Sequence, residues 1–140
     1  MSKSVADAMT ERPHTISRRA TAVEAAKAML DDDVGSLPVL DDDGFLAGII
    51  TDRDITVRVV AQGLDPDATR VSEAATLRPV TLTVDQTVED AIRLVREQDV
   101  RRIIVLQGGR AAGIVSLGDL AIERDTDSAL ADIASEPANN

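Results

Sequence analysis

Val5-Ala-Asp-Ala-Met-Thr-Glu-Arg-Pro-His-Thr-Ile16 is written a second time as Val71-Ser-Glu-Ala-Ala-Thr-Leu-Arg-Pro-Val-Thr-Leu82, at an offset of 66 residues. Working outward, the same offset aligns Thr21 with Thr87, Ala25 with Ala91, Asp33-Val34 with Asp99-Val100 and Val39-Leu40 with Val105-Leu106. One residue is then lost in a turn, and Gly48-Ile-Ile-Thr-Asp-Arg-Asp54 meets Gly113-Ile-Val-Ser-Leu-Gly-Asp119. Fixed order, a single deletion and matching Pro and Gly identify an internal duplication, which takes precedence over local signals in deciding the fold.

Each copy has the same grammar. A short extended piece follows the Arg-Pro pair, at Thr15-Ile16 and Thr81-Leu82, because Pro stops a helix. A helix comes next. Its apolar face is read as Ala22, Val23, Ala26, Met29 and Leu30 in the first copy, and as Val88, Ala91, Ile92 and Val95 in the second. The apolar runs Leu37-Pro-Val-Leu40 and Ile103-Ile-Val-Leu106 then pass through turns at Asp41-Asp-Asp-Gly44 and Gln107-Gly-Gly-Arg110. They return as runs around Gly48-Ile-Ile50 and Gly113-Ile-Val115, which makes each a hairpin. A last helix begins near Thr51 or Ser116. The fold class is α/β (α+β), in the order β-α-β-β-α, twice. Repeat 1 is placed at 1–62, a polar linker with Gly63 and Pro66 at 63–70, repeat 2 at 71–124, and a tail at 125–140, read as a short helix or a loose end. One copy, about 55 residues, has a marginal core by itself. The two sheets are therefore expected to pack face to face.

Composition narrows the chemistry. Phe45 is the only Phe, and there is no Trp or Tyr, so the core is aliphatic and base-stacking platforms are missing. A net charge of −10 with a pI near 4.4 argues against nucleic acid, whose binding surface is basic. It leaves room for a small anion held by a few Arg and helix N-termini. With no Cys there is no disulfide, thiol nucleophile or Cys-ligated zinc. No stretch reaches the roughly 18 apolar residues of a membrane span, and the first residues lack a signal-peptide run, so a cytoplasmic protein is expected.

Val-x-x-x-Met-Thr-x-x-Pro, Gly-Ser-Leu-Pro-Val and Gly-Ile-Ile-Thr-Asp-Arg-Asp-Ile together resemble the CBS repeat, over roughly residues 5–124. Thr51-Asp-Arg-Asp-Ile followed by Ala61-Gln-Gly-Leu-Asp-Pro66 is similar to small stand-alone bacterial CBS proteins, including the hypoxic response protein type. Cysteines found in some of those relatives are missing here, so metal or redox properties tied to them are not carried over. The resemblance implies a Bateman module: two tandem repeats packed sheet to sheet with pseudo-twofold symmetry, two clefts, and a homodimer. It also implies an adenine-containing regulatory ligand such as AMP, ADP, ATP, NAD or S-adenosylmethionine, with no required cofactor.

Within the resemblance, Thr51 and Ser116 contact the phosphate region of a ligand, and Asp54 and Asp119 take its ribose hydroxyls. The chemistry is sound, because a hydroxyl at a helix start lies beside backbone N–H groups and a carboxylate accepts two bonds from a cis-diol. Ser/Thr-x-x-Asp is equally a helix capping box that needs no ligand. Arg101 and Arg102 precede the middle strand, where the fork of Arg suits phosphate; pairing with Glu97 or Asp99 is the alternative. Arg53 has the reach to close over an anion and is equally at home as a solvated helix residue. Thr15, Ile16, Leu37 and Pro38, with Thr81, Leu82, Ile103 and Ile104, would give an adenine apolar walls, although most are buried in any version of this fold. His14, the only histidine, reads as a surface residue, and Asp31–Asp33 and Asp41–Asp43 read as an acidic helix end and a turn. The function expected is a regulatory sensor of an adenine nucleotide that acts through an unidentified protein partner. The alternative is a ligand-independent dimeric scaffold. An enzyme is not expected, for want of a thiol, a second histidine or a Gly-rich phosphate loop.

Overall fold

In the computed structural model, residues 3–124 are described, and the tail read at 125–140 lies outside them. The chain begins with α1 (Val5–Ala8), β1 (Thr10–Glu11), β2 (Ile16–Ser17), α2 (Ala22–Asp32), β3 (Ser36–Leu40), β4 (Leu46–Thr51) and α3 (Asp52–Asp54). A π-helical stretch, Ile55–Val60, continues α3. The second half runs α4 (Val71–Ala74), β5 (Thr76–Leu77), β6 (Thr81–Thr83), α5 (Val88–Gln98), β7 (Arg102–Gln107), β8 (Arg110–Ser116) and α6 (Leu117–Arg124). It is a mixed α/β fold, as expected, with two small sheets and their helices; each sheet has four strands where the sequence reading gave three.

The compact units do not follow the order of writing. One unit is continuous, Pro13–Pro79; the other is discontinuous and joins the residues up to Arg12 with those from Val80 onward. The sheets are β2-β3-β4-β5 and β1-β8-β7-β6, with β2 parallel to β3, β6 parallel to β7, and every other pair antiparallel. Each copy thus opens with a short helix and strand, absent from the β-α-β-β-α reading, that complete the other copy's sheet. Elements of two to four residues are too short for periodicity to announce.

Equivalent bonds hold each leader. Val5 N–H donates to the Gln86 carbonyl at 2.8 Å and Val88 N–H to that of Lys3 at 2.8 Å. In the continuous unit Val71 N–H donates to Ala20 at 2.7 Å and Ala22 N–H to Thr69 at 2.8 Å. The leaders also enter the cores: Val5 packs with Val88, Ile92, Ile103 and Leu120, and Val71 with Ala25, Leu37, Ile50 and Val59. The chain passes between units at Arg12-Pro13 and Arg78-Pro79, where both arginines are left-handed (φ 51° and 56°). A non-glycine residue pays roughly 1 kcal/mol for that conformation.

The helix faces divide the reading. In α5 Val88, Ala91, Ile92 and Val95 are all buried, as expected. In α2 the buried residues are Ala22, Ala25 and Met29, whereas Ala26 is exposed and Leu30 is 80% exposed. The inward stripe starts at Ala22 and runs i, i+3, i+7, so Ala26 and Leu30 fall outside it. Both helices begin with a capping box, Thr21 with Glu24 and Thr87 with Asp90, and both end on a left-handed Asp, Asp33 and Asp99.

Gly48 and Gly113 let the leaders lie close. A Cβ on Gly48 would sit 2.5 Å from the Thr76 carbonyl oxygen, and one on Gly113 would meet the Met9 sulfur at 2.5 Å and the Thr10 oxygen at 2.8 Å. Gly48→Ala is expected to cost about 1–3 kcal/mol in urea unfolding by forcing β5 off β4; an unchanged midpoint would show that the leader is not held tightly. A second expectation concerns acid. The backbone N–H and hydroxyl of Thr87, helped by Arg93, hold the Asp90 carboxyl below its ordinary value of 3.8, and the Thr83 hydroxyl lowers Asp85. A depressed carboxylate contributes stability that is complete above 3.8 and is lost as pH falls through the lower folded value. Asp90→Asn should therefore flatten the acid limb of the unfolding midpoint below the ordinary carboxylate value of 3.8, while an unaltered limb would refute the assignment.

Candidate functional site

The strand-to-helix corners at Thr51 and Ser116 are built alike. Antiparallel register sets Ser36 across from Thr51 and Arg102 across from Ser116. The residue before each middle strand then ties down the helix start: Asp52 N–H donates to the Gly35 carbonyl at 2.9 Å and Leu117 N–H to that of Arg101 at 3.1 Å.

Each corner closes with a reciprocal box. Thr51 N–H donates to Asp54 Oδ2 and Asp54 N–H to Thr51 Oγ1, both at 3.0 Å. Ser116 N–H donates to Asp119 Oδ2 and Asp119 N–H to Ser116 Oγ, both at 3.1 Å. The capping reading of the motif is therefore realised, as it is at Thr21–Glu24 and Thr87–Asp90. One oxygen of each aspartate is used in this way; its second oxygen is what a diol would meet.

The two corners differ in charge and access. Around Thr51 stand Asp52, Arg53 and Asp54, with neutral Gly35 and Ser36 opposite. The Asp52 carboxylate accepts the Arg53 N–H at 2.8 Å, so negative charge already sits on this helix start. Asp54 is buried, 9% exposed, and Arg58 Nε lies 3.8 Å from its Oδ1. Around Ser116 stand Leu117, Gly118 and half-buried Asp119, faced by Arg101 and Arg102. Both arginines are exposed, and among the described residues neither has a carboxylate within 4.0 Å. The pairing with Glu97 or Asp99 is not formed. On a chain of net charge −10, this puts two exposed arginines at the strand start that faces the Ser116 corner.

The remaining residues separate by role. Leu37 and Pro38 are buried in β3, Leu82 and Ile103 belong to the second core, and Thr81 is half-buried across from Ile104. Thr81, Arg102, Ile103, Ser116 and Asp119 thus gather at one end of one sheet. Thr15 and Ile16, the counterparts of Thr81 and Leu82, flank β3 in the other sheet, with Ile16 paired to Val39, and border an open depression of about 490 Å³ beside Arg19, Leu40, Asp41 and Asp42. That depression is at the turn end of β3, away from Thr51, and is spanned by an Arg19–Asp42 ion pair of 2.5 Å. His14 contacts Asp32 at the end of α2. Among the described residues no three His, Cys, Asp or Glu converge on a metal position. No helix among them is long and apolar enough to cross a membrane. Arg58 is the residue the sequence reading missed; its spacing of four from Asp54 is the usual signal of a helical ion pair.

The comparisons agree with this construction. The CBS domain family model matches residues 5–61 and again 71–124. CBS domain-containing protein YhcV of Bacillus subtilis is 40% identical over 121 residues, covering 86% of this chain and 85% of that protein. A crystal structure of Hypoxic Response Protein I with two coordinated zinc ions is similar at a TM-score of 0.77 and 31% identity, covering 85% of this chain and 97% of that one. CBSX2 in complex with AMP is similar at a TM-score of 0.72 and 26% identity, covering 84% of this chain and 93% of that one. The zinc belongs to the relative: the chain described here has no Cys and one His.

Because the boxes are helix caps with or without a ligand, Thr51→Ala and Ser116→Ala should each lower stability by about 1 kcal/mol in ligand-free buffer. Denaturant unfolding of the apoprotein checks this; no loss in either variant would mean that the hydroxyls serve a ligand alone.

Proposed function

This chain belongs to the CBS domain family, and from that premise we propose that it is a regulatory module that senses an adenine nucleotide and passes the signal to a protein partner. It is not an enzyme in this reading. The observation that carries it is the corner at Ser116, where Arg102 is in register with Ser116, the Arg101 carbonyl holds the helix start, and neither arginine has a carboxylate within 4.0 Å among the described residues. Phosphate suits the guanidinium forks, and a ribose diol suits the second oxygen of Asp119. Thr81 and Ile103, at the same sheet end, supply backbone and apolar contact for a base. The AMP seen in CBSX2 supports the ligand class. Arg53, with Asp52 and Asp54 on either side, is a solvated residue in this scheme.

Association with a second copy is the other part of the proposal, and it underlies the scaffold alternative. Val57, Val60 and Leu64, close together in the chain, are 43%, 64% and 48% exposed. Exposed apolar side chains of this size favour burial against another surface.

Thermal unfolding against AMP, ADP, ATP, NAD and S-adenosylmethionine, with and without magnesium, tests the sensor. A ligand at a hundred times its Kd should add about 2.7 kcal/mol and raise Tm by roughly 5–10 °C. The shift should vanish in Asp119→Ala. Arg102→Ala should weaken AMP by roughly tenfold or more while leaving adenosine nearly unaffected. If nothing in the panel moves Tm, the sensor reading fails and the ligand-independent scaffold takes its place.

A further inference from the structure

The two aspartates that look interchangeable in the sequence are held differently. Asp54 is met from within its own unit on both oxygens, Oδ2 by a hydrogen bond from the Thr51 N–H and Oδ1 by an ion pair with Arg58 at 3.8 Å. Arg58 is itself anchored: its Nη1 donates to the Ala75 carbonyl at 3.0 Å and reaches the Ala74 carbonyl at 3.4 Å. Those are the last carbonyls of α4, so the guanidinium caps that helix and neutralises Asp54 at once.

The backbone that carries Arg58 is unusual. Ile55–Val60 is wound i→i+5, with Ala61 N–H donating to Thr56 O at 2.9 Å and Leu64 N–H to Val59 O at 3.0 Å. The second copy is α-helical over Leu117–Arg124, and the residue aligned with Arg58 is Glu123, which has no cation to offer Asp119. A π-wound segment is rare and tends to occur where a side chain is placed for a purpose.

We propose that Arg58 is a specificity-determining residue: it occupies Asp54 in place of a ligand, so that the chain has a single diol-accepting carboxylate, Asp119. This rests on the reading that these carboxylates take a ribose diol. A hydroxyl must come within about 2.8 Å of a carboxylate oxygen, and Arg58, fastened to Ala75, holds the ground on the Oδ1 side of a residue already 91% buried. Duplication would then have produced one ligand position and one internal ion pair from the same motif.

Equilibrium dialysis with radiolabelled adenosine, which carries the diol and no phosphate, tests the assignment. The wild-type chain should bind one adenosine and Asp119→Ala none. Arg58→Gln, whose amide can still donate to the Ala75 carbonyl, should gain one adenosine per chain, and so should Arg58→Gln in the Asp119→Ala background. Retention of one adenosine by Asp119→Ala would overturn the proposal without altering any residue near Asp54. So would the absence of any gain in folded Arg58→Gln. Should the wild type bind none while Arg58→Gln binds one, the role of Arg58 stands and the assignment of the ligand to Ser116–Asp119 falls.

Discussion

Two pairs of main-chain hydrogen bonds, Val5 to Gln86 with Val88 to Lys3, and Val71 to Ala20 with Ala22 to Thr69, decide what the rest of the molecule can be. Each pair fastens a leader written at the head of one copy to the helix start of the other. Once fastened, the leader adds an edge strand, and its valine fills a core that contains no aromatic residue. Aliphatic side chains of this size gain about 25 cal/mol for each Å² removed from water. A unit as small as Pro13–Pro79 has little to spare, so losing a fully buried valine weighs heavily. The close approach at Gly48 and Gly113 follows from the same fastening.

The corners at Thr51 and Ser116 inherit their geometry from the hairpins. Register puts residues 36 and 102 beside the capping hydroxyls, and the preceding carbonyls hold the first helical N–H. Everything the corners share is therefore structural, and it would be present if no ligand existed. Function has to be sought in what they do not share. Leu117 and Gly118 replace Asp52 and Arg53, Arg101 and Arg102 replace Gly35 and Ser36, and Glu123 replaces Arg58. These substitutions move the cations from the helix to the middle strand while leaving the backbone corner intact.

Net charge and local charge lead to different conclusions here. A chain of −10 repels polyanions at the range of the Debye length, about 8 Å in physiological salt. Inside that range Arg101 and Arg102, which have no carboxylate within 4.0 Å among the described residues, give the neighbourhood of Ser116 a positive contribution that the net charge does not reveal.

The sequence by itself determined the duplication, the helix and hairpin order, and the motif Ser/Thr-x-x-Asp, because each of these is carried by local periodicity or by identity at a fixed offset; the family came from the resemblance of its motif blocks to the CBS repeat. It also marked the passages at Arg-Pro without showing that they are where the chain changes units. Only the tertiary structure decided which leader completes which sheet, since that choice depends on hydrogen bonds between residues far apart in the chain, such as Val5 with Gln86 and Val71 with Ala20. It likewise placed Leu30 outside the inward stripe of α2, although its apolarity alone suggests a core residue. The inequality of the two aspartates was half legible. The spacing of Asp54 and Arg58 is local, but the carbonyls that hold Arg58 in place lie 16 and 17 residues further on, and no short-range pattern brings them there.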